Sequence, residues 1–133
     1  MKFLMPLHLK TGLWGENQAA GFLEKKGFKI ISRRFRVTVR DEFDLIARFG
    51  DVLVFVEVKT RKTESFGRPV SAVDRNKKHH LSRAAIRYLQ RLGKPVNFRF
   101  DVVEVIGEKD VSIPVIRHIE NAFSLDRCYV LPW

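Results

Sequence analysis

Cysteine is almost missing from this 133-residue chain: Cys128 is the single one, so no intrachain disulfide can form. A reducing, cytoplasmic compartment is the expectation that follows. Long apolar runs are missing as well. The stretch Val52 to Val56 falls far short of the roughly 20 residues a membrane span needs, so no helical span and no membrane partner are expected. The N-terminal MKFLMPLHLK has one early lysine and no long apolar segment, which argues against a cleaved signal. No internal repeat, low-complexity tract or Pro/Gly/Ser-rich linker divides the sequence. Residues 1–133 therefore read as one domain, with 1–10 and 124–133 as peripheral tails. Motifs for a zinc-ligand set, a phosphate-cradling glycine loop or a serine triad are also wanting.

Acidic residues are scarce where basic ones are dense. The chain carries 25 Lys and Arg against 15 Asp and Glu, a net charge of +10. Residues 1–100 hold 22 basic and 9 acidic side chains, whereas residues 101–133 hold 3 and 6. Such asymmetry implies one basic surface and a polyanion, nucleic acid first among them, as its partner; a well-solvated basic protein is the alternative reading. With 45% hydrophobic residues the chain can nevertheless bury a real core.

Thr11 to Lys26 reads as a helix stopped by Gly27, and Phe28 to Val39 as a strand rich in β-branched and aromatic residues. Glu42 to Phe49 and Val52 to Thr60 are strands around Gly50-Asp51, where a leading Gly favours a type II′ hairpin. Pro69 reads as the entry to a second helix that runs to about Leu92 and stops at Gly93. Its apolar positions Leu81, Ala84, Ala85, Tyr88, Leu89 and Leu92 have helical spacing. Phe98 to Ile106 and Val111 to Ile119 complete the pattern as strands. The order αβββαββ implies an α/β domain with a mixed central sheet flanked by helices.

The hairpin places an acid pair. With Gly50-Asp51 as a two-residue loop, counting outward sets Asp44 opposite Glu57; a four-residue loop sets it opposite Phe55 and diagonal to Glu57. Strand alternation sets Lys59 on the same face as Glu57. Two opposed carboxylates repel unless a proton or cation lies between them. Mg²⁺ or Mn²⁺ bound by Asp44 and Glu57, with Lys59 steadying a phosphate, would make a phosphodiester hydrolysis site. A solvated cluster in which both acids share Lys59 is the competing reading. Glu16 shares the apolar stripe of Ala19, Ala20 and Leu23, where it either complements the helix dipole or completes the acidic site.

The second helix carries Arg75, His79, Arg83, Arg87 and Arg91 at four-residue intervals, and no acid occurs between Arg75 and Phe100. This is a cationic ridge, reinforced by Lys77, that a phosphate backbone would relieve; a solvated helix face is the competing reading. Lys29, Arg33, Arg34, Arg36 and Arg40 make a second acid-free run. His79 and His80 diverge on a helix and cannot chelate together, so both read as surface residues, His79 within reach of phosphate. Cys128 reads as a small apolar filler.

At these residues the chain resembles the YraN family, predicted endonucleases related to the PD-(D/E)XK nucleases and Holliday-junction resolvases. The resemblance runs from Gly15 to about Phe123. It includes Gly15-Glu16, Glu42-Phe43-Asp44-Leu45-Ile46, Val54-Phe55-Val56-Glu57-Val58-Lys59 with Arg61, Phe66-Gly67, Lys77, Tyr88-Leu89 and Arg99-Phe100-Asp101-Val102-Val103. Asp41 stands where the family usually has Gly, and Phe43 where the superfamily name has Pro. The resemblance implies a restriction-endonuclease-like αβββαβ core and a single nuclease-like domain. It further implies Asp44 and Glu57 as metal ligands, and Glu16, Asp44, Glu57 and Lys59 as the catalytic set. Arg61, Arg75, Lys77, Arg83, Arg87 and Arg91 are the expected nucleic-acid contacts. The implied activity is Mg²⁺- or Mn²⁺-dependent cleavage of DNA, branched or structured DNA included, by a protein able to form a homodimer. A non-catalytic nucleic-acid-binding protein using the same basic face is the alternative.

Overall fold

The computed structural model describes residues 7–38, 41–63 and 73–133, with side chains from residue 11 onward. Its elements are α1 (Leu7–Lys25), β1 (Lys29–Arg36), β2 (Glu42–Phe49), β3 (Val52–Arg61), α2 (Arg75–Leu92), β4 (Asn97–Ile106) and β5 (Val115–Phe123). The five strands form one sheet in sequential order. All neighbouring pairs are antiparallel except β3 and β4, which run parallel. A parallel pair needs a crossover, and α2 supplies it. This mixed sheet flanked by helices is consistent with a restriction-endonuclease-like core.

Local chemistry sets the element ends. Gly27 takes φ 96, and the N–H groups of Gly27 and Phe28 return to the carbonyls of Glu24 and Leu23, closing α1 in a Schellman motif. Gly50 adopts φ 61, as a II′ hairpin requires, and Phe49 pairs with Val52 across it. Asp74 caps α2 by accepting the Lys77 N–H, and Gly93 ends it at φ 71. The helix thus starts at Arg75 and not at Pro69, because a side-chain acceptor for its free N–H groups sits at Asp74. Pro69, Phe66-Gly67 and Arg40 lie outside the described residues.

The sheet buries both faces. Ala19, Ala20 and Leu23 of α1 pack on Leu45, Ala47, Val54, Val56, Val103 and Val105. Leu81, Ala84, Ala85 and Leu89 of α2 pack on Phe43, Ile46, Leu53, Phe55 and Phe100. Beneath α2 the aromatic rings run across the sheet, Phe43 to Phe55 at 4.9 Å, Phe55 to Phe100 at 5.7 Å and Phe100 to Phe123 at 4.8 Å. Such pairs add about 0.5–1.5 kcal/mol each beyond the area they bury. Among the described residues no helix is long and apolar enough to cross a membrane.

Other boundaries also differ from the sequence reading. The first helix begins at Leu7, inside the stretch expected to be a tail. The first strand ends at Arg36, beyond which the Val37 N–H donates to the Asp41 carbonyl at 2.8 Å and the Asp41 N–H to the Thr38 hydroxyl at 3.2 Å. The last strand begins at Val115 and not at Val111, since Val111 and Ile113 are 72% and 93% exposed in the loop before it. Their alternation imitates a strand, but Asp110 turns at φ 65 and Pro114 has no N–H for a ladder.

Candidate active site

The β2–β3 ladder runs from Phe49↔Val52 to Leu45↔Val56 and stops there. Continued by one step, it sets Asp44 against Glu57, as the hairpin count requires. Asp44 instead turns into the split between the strands, where its Oδ2 accepts the Val58 N–H at 2.8 Å. The alternation of β2 breaks at the same point, since Phe43 joins Ile46 on the α2 side while Leu45 and Ala47 face α1. Asp44 thereby meets groups from both sides of the sheet.

On the α2 side stands Glu57, 5% exposed. Its Oε2 makes no hydrogen bond. The Lys77 ammonium is 3.3 Å from that oxygen, a charge contact without hydrogen-bond alignment. Burial first, and then the charge and shared hydrogen bond of Asp44, push Glu57 up to about 8, against the pull of Lys77 and Lys59. The acid pair is therefore held close at a real electrostatic cost. Lys59 is half-buried, two residues along the same strand.

On the α1 side stands Glu16. Gly15 lets the helix approach β3 so closely that a methyl group there would run into the Thr60 hydroxyl, and this approach brings Glu16 beside the split. Glu16, Arg34, Arg36, Glu42, Asp44, Val58 and Thr60 line a cleft of ≈ 220 Å³. Burial raises the Glu16 carboxyl, with Asp44 adding to it and Arg34 opposing. The Arg34 Nε donates to both Glu16 oxygens at 3.3 Å. Arg34 sits at φ 56 inside β1, a conformation unusual for a residue with a Cβ. It turns consecutive residues to the same helix, so Arg33 bonds Asn17 at 2.6 Å while Arg34 takes Glu16. Among the described residues, Glu16, Asp44 and Glu57 do not close into a trio with all ligand atoms within 4.8 Å. The pair Asp44 and Glu57 is the part of the set able to hold a cation.

The expected nucleic-acid residues separate into two groups. Arg75, Arg87 and Arg91 are exposed along α2, with Arg91 lying over the Phe35 ring. The others are each tied to a buried acid. Lys77 belongs to the acid pair, Arg83 Nε is 2.6 Å from Asp41, and half-buried Arg61 is 3.9 Å from the buried Glu104. The cationic ridge is thus not without internal relief, which a one-helix reading could not see. His80 also pairs with Asp41, at 2.9 Å, and His79 lies against Asp126, Cys128 and Tyr129. Neither is a simple surface histidine, and Cys128 is exposed and not a core filler. Sequence reasoning missed the partner roles of Arg34, Asp41 and Glu104. The signals available were an Asp where the YraN pattern has Gly, and an acid within the apolar run of β4.

Comparison with known proteins adds a family. The model of the uncharacterised protein family UPF0102 matches residues 15–105, a span that contains Glu16, Asp44, Glu57 and Lys59. The chain belongs to the UPF0102 family. A UPF0102 protein of Geobacter sulfurreducens is 47% identical over 116 residues, covering 86% of this chain and 88% of that one. One from Syntrophomonas wolfei is 44% identical over 118 residues, covering 88% and 100%, and one from Symbiobacterium thermophilum is 48% identical over 115 residues, covering 86% and 96%. The UPF0102 match ends at residue 105, so it takes in the acid pair and α2 but neither β5 nor the segment that follows it.

Proposed function

We propose that this UPF0102 protein is a divalent-metal-dependent endonuclease of the YraN and PD-(D/E)XK type, hydrolysing phosphodiester bonds in DNA, with branched or structured DNA as candidate substrates. The observation that carries this reading is the buried Glu57 Oε2, without a hydrogen bond, beside Asp44 where β2 and β3 part. A hard cation with oxygen ligands fits that pair, because it removes the repulsion and satisfies the orphaned oxygen. Bound there, Mg²⁺ or Mn²⁺ supplies positive charge at the scissile phosphate and lowers the pKa of a coordinated water. Asp44 is fixed by the Val58 N–H and Glu57 by its burial, so neither carboxylate has to reorganise on binding. Lys59, on the Glu57 face of β3, is the cation that this reading assigns to stabilise charge on the phosphate in the transition state. Exposed Arg75, Arg87 and Arg91 give positioning contacts to the backbone and little base readout. The reading requires a cytoplasmic protein, and paired cuts in a junction would take two copies.

The test is cleavage of linear, flapped and four-way DNA with Mg²⁺ or Mn²⁺. Asp44→Asn and Lys59→Ala should each lower the rate by more than about a hundredfold. Equal rates in wild type and both variants would discard the assignment.

A second reading, a nucleic-acid-binding protein without turnover, is favoured by two native cations already at the acids, Arg34 on Glu16 and Lys77 near Glu57. It predicts salt-sensitive binding and no cleavage. Arg87→Ala with Arg91→Ala should then reduce the slope of log K against log salt by about 2.

A further inference from the structure

The segment after β5 is docked on the first half of α2. Leu125 packs against the aromatic layer, and the Asp126 N–H donates to the buried Ser82 hydroxyl at 2.9 Å. This anchor brings three different donor atoms together. Cys128 Sγ lies 3.5 Å from His79 Nδ1, and Asp126 Oδ2 lies 3.4 Å from the same nitrogen. Ligand atoms of all three residues fall within 4.8 Å of one another. The remaining Asp126 oxygen is occupied by the Cys128 N–H at 3.1 Å, so Oδ2 is the oxygen left facing the ring. Tyr129 Oη is 3.1 Å from His79 Nε2. A proton on Nε2 donated to that oxygen leaves the Nδ1 lone pair aimed at the sulfur and the carboxylate.

The two spacings from His79 Nδ1 match edges of a tetrahedron around zinc. With Zn–N near 2.0–2.1 Å and Zn–S near 2.3 Å, tetrahedral angles separate N from S by about 3.5 Å and N from O by about 3.4 Å. Imidazole, thiolate and carboxylate together suit Zn²⁺, whereas a sulfur donor does not suit Mg²⁺. Thiolate and carboxylate also balance the double charge of the ion, while Arg75, Lys78 and Arg127 line the same groove and oppose it. The groove, ≈ 940 Å³, leaves the fourth position open to water.

We propose that His79 Nδ1, Asp126 Oδ2 and Cys128 Sγ bind one Zn²⁺ that fastens the segment after β5 to α2, a site separate from the Asp44–Glu57 pair. Tyr129 is its positioning residue, setting the imidazole tautomer.

Titration of the reduced full chain with Co²⁺, read by its sulfur-to-cobalt absorption in the near ultraviolet, tests this. The band should saturate at one equivalent and be bleached by Zn²⁺. Cys128→Ser should abolish it, and Tyr129→Phe should keep the band while weakening affinity about 10- to 100-fold. Asp44→Asn should leave it unchanged, so the outcome does not depend on nuclease activity. Absence of the band in folded wild type, its persistence in Cys128→Ser or its loss in Asp44→Asn would each overturn the site.

Discussion

Asp101 and Glu57 are both buried carboxylates on adjacent central strands, and their surroundings are opposite. Asp101, fully buried on β4, accepts from Arg99 at 3.0 and 3.2 Å, from His118 Nε2 at 2.7 Å and from the Asn121 N–H at 2.9 Å. Lys26 donates to the other ring nitrogen of His118 at 2.8 Å, which fixes the proton on the nitrogen facing Asp101. Burial alone raises the Asp101 carboxyl, but the His118, Asn121 and Arg99 bonds outweigh it and hold it below the usual range. Glu57 has the same burial with a second acid beside it and an oxygen left without a hydrogen bond, and it moves the other way. Burial is thus common to both residues. Whether the charged form is satisfied separates a carboxylate that holds a fold together from one that costs stability and is available to a ligand.

The largest expected effect comes from emptying the satisfied site. Asp101→Asn leaves Arg99 without its nearest counter-charge and turns one of the two acceptor oxygens into a donor, and should destabilise the protein by about 3–5 kcal/mol in denaturant melts at pH 7. Because the folded Asp101 pKa lies below the unfolded one, its contribution is present above the unfolded value and is lost as pH falls through the folded value. The gap between wild type and Asp101→Asn should therefore narrow in acid. A constant gap down to the acid limit would refute the comparison from this side.

Glu57→Gln should act in reverse and more modestly. In metal-free protein the raised Glu57 pKa means that the folded state loses stability as pH climbs from the ordinary carboxylate value toward about 8. Removing that charge should stabilise the metal-free protein by about 1–3 kcal/mol at pH 8 and by little at pH 4, while abolishing any cleavage. A Glu57→Gln protein less stable than wild type at pH 8 would mean that Glu57 is structural after all. The smallest effect belongs to Lys77→Ala. Its contact with Glu57 is part-exposed, so the change should stay under about 1 kcal/mol and shrink with added salt. Melts of wild type and Lys77→Ala at low and high salt measure it directly.

Much of this was legible from residue order. The two-residue turn at Gly50-Asp51 fixes the partners from Phe49↔Val52 to Leu45↔Val56, so counting brings Asp44 to the neighbourhood of Glu57. The ladder ends one step before them, however, and the turn of Asp44 into the split is not legible from alternation. The buried stripe of α2 follows from its spacing, and glycine stops at Gly27 and Gly93 follow from their positive φ. What counting misses is contact between distant segments. Arg34 reaches Glu16 only because a left-handed residue interrupts β1, and Asp126 and Cys128 reach His79 only because Ser82 anchors the segment after β5. Val111 and Ile113 mislead for the opposite reason: their pattern is local and correct for a strand, but no partner strand pairs with them.

The strand order has a consequence for the order of folding. The β1–β2–β3 meander joins residues close in sequence, whereas β3 finds β4 only after α2 has crossed between them, and nearby pairings close before distant ones. The local meander therefore brings Asp44 near Glu57 before α2, which carries Lys77, is held in place by the β3–β4 pairing. Until that helix docks, Glu57 lacks the burial that raises its carboxyl in the finished fold, and the acid pair exists without the enclosure that sets it apart from a surface cluster.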